Sequence, residues 1–408
     1  MVDGTCCGLK YAVKQGGRVA AFCALTIRCG TRDEATFPYG IAHFTEHTVF
    51  KGTEFKKASQ INSCLDRLGG DLNAFTTKEE IVLHAASLKE DLPKAISLLL
   101  ELAFHPIFPA RETATEKGVV IDEIMSYKDS PADDVYDTFE EKFFAGHPLS
   151  RPILGTPEAV EGITPGQLSS FVRDRFTPEN TVLTVVSPDD ENAVAGKIEA
   201  IIAGAALPAP GANAYTRTLM NATPCIFNET VDKKNNEANA VFGGPAPSVY
   251  SGQDRVASIL LANIIAGPGA DSILNKLLRE KKGWVYAVES NYSQYSDNGL
   301  ITISLGCDKE NLDKCSAALR KELDKLIDTP LSPRKLAAAK KQIIGQMAIS
   351  GESGEAQCLS MGKSLMTFGH IATDGQIRQM IGDVGADNLQ RIAAEAFSRD
   401  RMSVLMFV

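Results

Sequence analysis

The sequence predicts an α+β fold built as two related domains, each an antiparallel β-sheet with helices packed on one face. Three observations carry that expectation. Short strand-like runs such as Ile81–Leu88 are followed by amphipathic helical segments such as Asp91–Phe104, the pattern of sheet-and-helix layers. Gly204–Tyr215 breaks the middle of the chain with two prolines, two glycines and small residues, and reads as an interdomain linker. Beyond it the order of elements starts again. The expected division is therefore 1–203, a linker at 204–215, and 216–408.

The elements follow in order. Residues 18–30 mix β-branched and small apolar residues and read as a strand reaching Gly30. Phe37–Gly52 reads as a helix, with Pro38 suited to its first turn, Gly52 suited to its C-terminal cap, and Ile41, Phe44, Thr48 and Val49 facing a core. Ser59–Leu68 is a second helix, stopped by Gly69-Gly70. Asp71–Thr77 and Ile81–Leu88 form a strand pair about a polar turn, and Asp91–Phe104 is helical. After the Pro106–Pro109 loop, helices cover Arg111–Lys128 and Ala132–Phe144. Thr181–Ser187 is a buried-type strand and Glu191–Ala203 a helix. In the second half, Asp308–Leu312 echoes Leu88–Leu92, Pro330–Pro333 echoes Pro106–Pro109, and Leu261–Gly267 lies where Thr45–Gly52 would be. The alternative is that two α+β domains share a generic order of elements.

Composition narrows the function. The chain has 408 residues, 44% of them hydrophobic and 23% charged, the balance of a globular protein with sizeable cores. A formal charge of −9 and a pI near 5.3 leave no basic stripe for nucleic acid. No run of apolar residues is long enough for a membrane span, and the first residues lack a basic-then-apolar signal, so a cytoplasmic location is expected. The nine cysteines are scattered without a C-x-x-C pair, which suggests free thiols rather than a disulfide framework or a thiolate zinc site.

The chemistry concentrates in Phe37–Gly52. His43 and His47 are one helical turn apart on one face, with Glu46 beside them. Two imidazoles so spaced can share one metal ion, and the adjacent carboxylate can reach a water on it. The pattern is H-x-x-E-H, the inverse of the commoner H-E-x-x-H zinc signature. Two histidines and a glutamate on a helix also suit a solvated polar face. A catalytic zinc needs a third protein ligand, and the helix at 111–128 offers Glu112, Glu116 and Glu123, the last two separated by seven residues and so nearly on one face. Val119, Val120, Ile121 and Ile124 would bury that helix. A solvated Glu/Lys face is the alternative for Glu116. The remaining histidines, His84, His105, His147 and His370, read as structural.

H-x-x-E-H followed by a glutamate 76 residues past the second histidine, with another glutamate seven before it, resembles the pitrilysin (insulinase) family of zinc peptidases, in its processing-peptidase-like branch. The likeness extends to Gly69–Thr77, similar to a G-G-x-x-N-A-x-T segment, and to Leu278–Ala287, similar to L-R-E-K-x-G-x-x-Y. It implies that His43, His47 and Glu123 hold one Zn²⁺ per chain, that Glu46 is the general base, and that Glu116 orients a ligand histidine. It implies that Asn73, Ala74 and Phe75 lie on an edge strand that binds extended peptides by backbone pairing. Arg279 and Tyr286 resemble the family's distant pair, which would steady the developing oxyanion. Ala266–Ala270 resembles a glycine-rich loop of related subunits.

The expected function is thus a zinc endopeptidase of unfolded peptides or short polypeptides, with no nucleic-acid or membrane partner. Because both residue sets occur in one chain, a homodimer is expected, with a heterodimer with a related chain as the variant. The rival functions are a processing-type subunit active only with a different partner chain, and a non-catalytic peptide-binding or scaffold relative.

Overall fold

The structure is a computed structural model, and it describes every residue except 18, 210 and 212–214; those four last-named positions of the expected linker lie outside the described residues. The first half of the chain comprises β1 (Val2–Cys6), β2 (Leu9–Gln15), β3 (Ala20–Ile27), α1 (Ile41–Val49), α2 (Ala58–Asp66), β4 (Asp71–Thr76), β5 (Ile81–Leu88), α3 (Leu92–Phe104), α4 (Ala110–Asp129), α5 (Pro131–Phe143), α6 (Pro157–Gly162), α7 (Pro165–Arg175), β6 (Thr181–Ser187) and α8 (Glu191–Gly204). The second half comprises β7 (Asn228–Val231), β8 (Glu237–Ala246), α9 (Gly252–Ala266), β9 (Val285–Gln294), β10 (Gly299–Asp308), α10 (Leu312–Asp328), α11 (Pro333–Ser350), α12 (Gly354–Phe368), α13 (Asp374–Gly382), α14 (Ala386–Phe397) and β11 (Ser403–Phe407).

Two sheets organise these elements. The first runs β1-β2-β6-β3-β5-β4 and the second β7-β11-β8-β10-β9. The predicted α+β class holds, and the topology repeats: β2-β6-β3-β5-β4 has the same order and the same pair directions as β7-β11-β8-β10-β9. Each sheet is antiparallel except for one pair, β2 with β6 and β7 with β11, which are parallel. The expected antiparallel pairing holds for every other neighbouring pair of strands. A parallel pair needs a long crossover, and here nearly the whole of each half lies between its two strands.

The compact units are not contiguous halves. One is Met1–Met125, Arg151–Arg217 and Ala348–Ala372; the other is Ser126–Ser150, Thr218–Met347 and Thr373–Val408. In the first unit, Leu25, Leu83, Leu183 and Val185 pack with the apolar residues of α3 and α8. The alternate residues Ala24, Val82, Val182 and Val186 face the other way, onto Cys358, Met361, Leu365 and Met366 of α12. Gly362 makes this approach possible, because a Cβ there would lie 2.5 Å from Thr26 Oγ1 of β3. In the second unit, Ala238, Ala240 and Phe242 pack with α9 and α14, while Val241, Leu300 and Phe407 pack with Val135, Phe139 and Phe143 of α5. The expectations of helices on one face and of domains cut at 204–215 are therefore both corrected. Each sheet buries its second face under a helix supplied by the other half of the sequence, since strands apolar on both faces need cover on both.

Candidate metal centre

Three side chains of the first unit converge. His43 and His47 lie on α1, with ring centroids 4.7 Å apart. Glu123 lies on α4, its Oε2 3.8 Å from His43 Nε2 and 3.4 Å from His47 Nε2. One ligand atom from each of the three falls within 4.8 Å of the others, and this is the one such group among the described residues. The geometry fits a cation better than hydrogen bonds. The two N···O separations exceed the usual range for N–H···O bonds, whereas donors placed about 2.0–2.1 Å from a tetrahedral zinc stand about 3.3 Å apart. The donor set, two imidazoles and one carboxylate, is that of a catalytic zinc.

Local sequence explains why α1 presents these groups. Ile41, Phe44, Thr48 and Val49 are wholly buried, which fixes the rotation of the helix and leaves His43, Glu46 and His47 on one side. The helix is shorter than predicted. It starts at Ile41 rather than Pro38, because Gly40 takes a φ of +85°, and a Cβ there would also meet Leu154 O at 2.7 Å. It ends at Val49 rather than near Gly52, which instead bridges to Lys57. On α4, Thr113, Glu116, Val120 and Ile124 form the buried face; Val119, expected inside, is half exposed.

Hydrogen bonds orient the centre. Glu116 Oε1 lies 3.0 Å from His47 Nδ1, and Lys51 Nζ lies 2.7 Å from Glu116 Oε2. His47 Nδ1 is thereby held so that Nε2 points to the other donors. Thr76 Oγ1, on β4, donates to Glu46 Oε2 at 2.6 Å. Lys51 and Thr76 were legible only as members of motifs, with no spacing rule to single them out. Among the described contacts His43 Nδ1 is buried without a hydrogen bond, while its ring packs edge-on to that of His47.

Burial and charge set the protonation states. Burial, then the neighbouring His47, pushes His43 down to about 3, so it stays a neutral, metal-competent imidazole. Burial would also lower His47, but the bond to Glu116 and the charges of Glu46, Glu123 and Glu116 outweigh it and raise the net value. Glu46 is raised by burial, opposed by the Thr76 bond and His47. Burial raises Glu116, but the bonds from His47 and Lys51 win, and it stays below the usual carboxylate range.

Asn73 and Ala74 line a cleft of about 380 Å³ shared with Glu46, His47, Phe50, Lys51 and Glu116. Phe75 is not among that lining; its ring stands edge-on to His84. All three belong to β4, which ends the first sheet and, among the described residues, pairs only with β5. Arg279 and Tyr286 belong to the second unit. Arg279 lies in a π-helical turn, Asn275–Lys281, closed by Gly283 at a φ of +59°; Tyr286 is exposed on β9 and donates to Asp308. The other histidines contact protein groups: His84 meets Glu355, His105 meets Ala205 O, His147 meets Met220 O, and His370 meets Phe368 O. Among the described residues no helix is long and apolar enough to cross a membrane.

Comparison with known proteins bears on the whole chain. Residues 12–157 match the insulinase family, peptidase family M16, and residues 162–343 match the peptidase M16 inactive domain. An uncharacterized zinc protease of Bacillus subtilis is 30% identical over 409 residues, covering 96% of this chain and 96% of that protein. One of Streptomyces coelicolor is 29% identical, over 91% of this chain and 81% of its own length. The crystal structure of a protease from Helicobacter pylori superposes with a TM-score of 0.90 at 20% identity, over 100% of this chain and 99% of that one, and so shares the fold.

Proposed function

Starting from the fact that this chain belongs to the insulinase (M16) family of peptidases, we propose that it is a zinc-dependent endopeptidase of unfolded peptides or short polypeptides. The observation that carries this reading is the convergence of His43, His47 and Glu123 beside Glu46. His43, His47 and Glu123 would hold one zinc ion per chain. Zinc there supplies a Lewis acid and makes water acidic enough to ionise near neutral pH. Glu46 takes the proton of the attacking water and returns it to the leaving amine. Thr76 keeps the Glu46 carboxylate aimed, and Lys51 and Glu116 keep His47 aimed.

The free edge of β4 would take the substrate as an added strand, which gives affinity with loose sequence preference. Asn73 and Ala74, already in the cleft wall, would line its path. On the family likeness, Arg279 and Tyr286 are assigned the role of steadying the oxyanion. Since one chain carries both sets, a homodimer suffices for activity. Digestion of a mixed peptide library tests the reading. We expect cleavage that a chelator abolishes and zinc restores, and that Glu46→Gln loses while retaining zinc. Undiminished cleavage by Glu46→Gln contradicts the base assignment. Activity that emerges only when a different polypeptide is added contradicts the homodimer.

A further inference from the structure

The geometry points to Glu34 as a positioning residue for the metal-bearing helix: its carboxylate acts as the N-terminal cap that α1 lacks. Helices begin with N–H groups that have no partner inside the helix, and a side chain at the N-cap commonly accepts them. The N-cap of α1 is Gly40, which has no side chain to do so. Glu34, six residues earlier, fills the gap. Its Oε1 accepts from Gly40 N at 2.9 Å and from Ala42 N at 3.2 Å. Ala42 adjoins His43, so the bond sets the start of the turn that carries the first metal ligand.

Glu34 is itself immobilised. It is 0% exposed. Its other oxygen faces Arg151 Nη1 at 3.7 Å, and Arg151 Nη2 donates to Ala35 O at 2.9 Å. The preceding residue, Asp33, accepts from Gly30 N at 2.9 Å, from Tyr215 OH at 2.8 Å, and from Arg217 through Nε at 2.8 Å and Nη2 at 2.6 Å. The turn from which Glu34 reaches is thus pinned on both sides. Burial pushes the Glu34 carboxyl up to about 8, against the opposing pull of the Ala42 and Gly40 bonds, Arg151 and Lys78. The acceptor function therefore does not depend on a full charge, and a glutamine can replace it.

The inference rests on zinc binding at His43, His47 and Glu123. Its test compares wild type with Glu34→Ala, Glu34→Asp and Glu34→Gln by two readouts that need no turnover: zinc affinity from chelator competition, and amide exchange across 40–45. We expect Ala and Asp to weaken zinc about 10-fold or more, as loss of a group supporting a ligand does, with faster exchange across 40–45. Gln should stay within about twofold of wild type, since its amide oxygen accepts the same two bonds. Ala and Asp variants that bind zinc as wild type does, or that lose thermal stability alone, overturn the positioning role; so does a Gln variant as impaired as Ala. If Ala does not fold, Asp decides, and if neither folds, Gln decides by zinc affinity: near-normal supports the role, weakened overturns it. Wild type that takes up no zinc refutes the metal reading instead, and the exchange data then judge Glu34 alone.

Discussion

Thr76 holds Glu46 by one short bond, and that bond separates aiming the base from supplying it. Thr76→Val should keep zinc and substrate affinity while lowering kcat by about 10-fold, consistent with the net worth of one hydrogen bond to a charged group; steady-state kinetics on one peptide checks this. Lys51 acts one step further out. Lys51→Met leaves Glu116 without its cation, so zinc should bind several-fold more weakly, and Lys51→Arg should restore part of the loss. Glu123→Gln removes the anionic donor, and its zinc affinity should fall by more than that of either variant; unaltered metal content moves the third ligand elsewhere. At this scale the sequence was informative where chemistry has a spacing rule. The shared face of His43, Glu46 and His47 follows from helical geometry, and their proposed roles follow from the family likeness. Glu123, 76 residues past His47, follows only from the family likeness, because no local rule joins two helices. Thr76, Lys51 and Glu34 act through tertiary contacts and have no such signature.

At the scale of elements, α1 was legible in its faces and not in its ends. Apolar spacing located the buried side correctly. The start was misplaced because Pro38 is compatible with a first turn, whereas the backbone packing of Gly40 against Leu154 and Gly155 is not visible from sequence. The strands β1 and β2 were not foreseen, since lysines and glycines interrupt their short apolar runs. The Glu34 cap makes a pH prediction for this element. A carboxyl raised to about 8 in the folded chain keeps its proton where the unfolded chain, with its ordinary value near 4.5, has lost it. Folding therefore takes up a proton between those values, and wild-type stability falls relative to Glu34→Gln as pH rises from about 4.5 to about 8. Denaturant unfolding of both proteins across that range checks the sign; parallel pH profiles contradict it.

At the scale of the molecule, the repeat was legible through Leu88–Leu92 and Asp308–Leu312, which precede α3 and α10 in the two copies. The exchange of helices was not. α5 and α12 carry ordinary amphipathic patterns that state what they bury and not which sheet they bury it against. The exchange predicts that residues 1–217 alone leave Ala24, Val82, Val182 and Val186 uncovered. That fragment should bind hydrophobic dyes and aggregate, while a version with 348–372 appended should do so less; equal dye binding by both contradicts the role of α12. Among the described residues only the first copy gathers metal-type side chains, at His43, His47 and Glu123.

Zinc K-edge absorption of the protein loaded with one equivalent of metal probes the centre itself. Nitrogen and oxygen donors at about 2.0–2.1 Å, with outer-shell scattering from two imidazoles, are predicted by a site made of His43, His47 and Glu123. Sulfur at about 2.3 Å from any of the nine free cysteines, or scattering from fewer than two imidazoles, would contradict it.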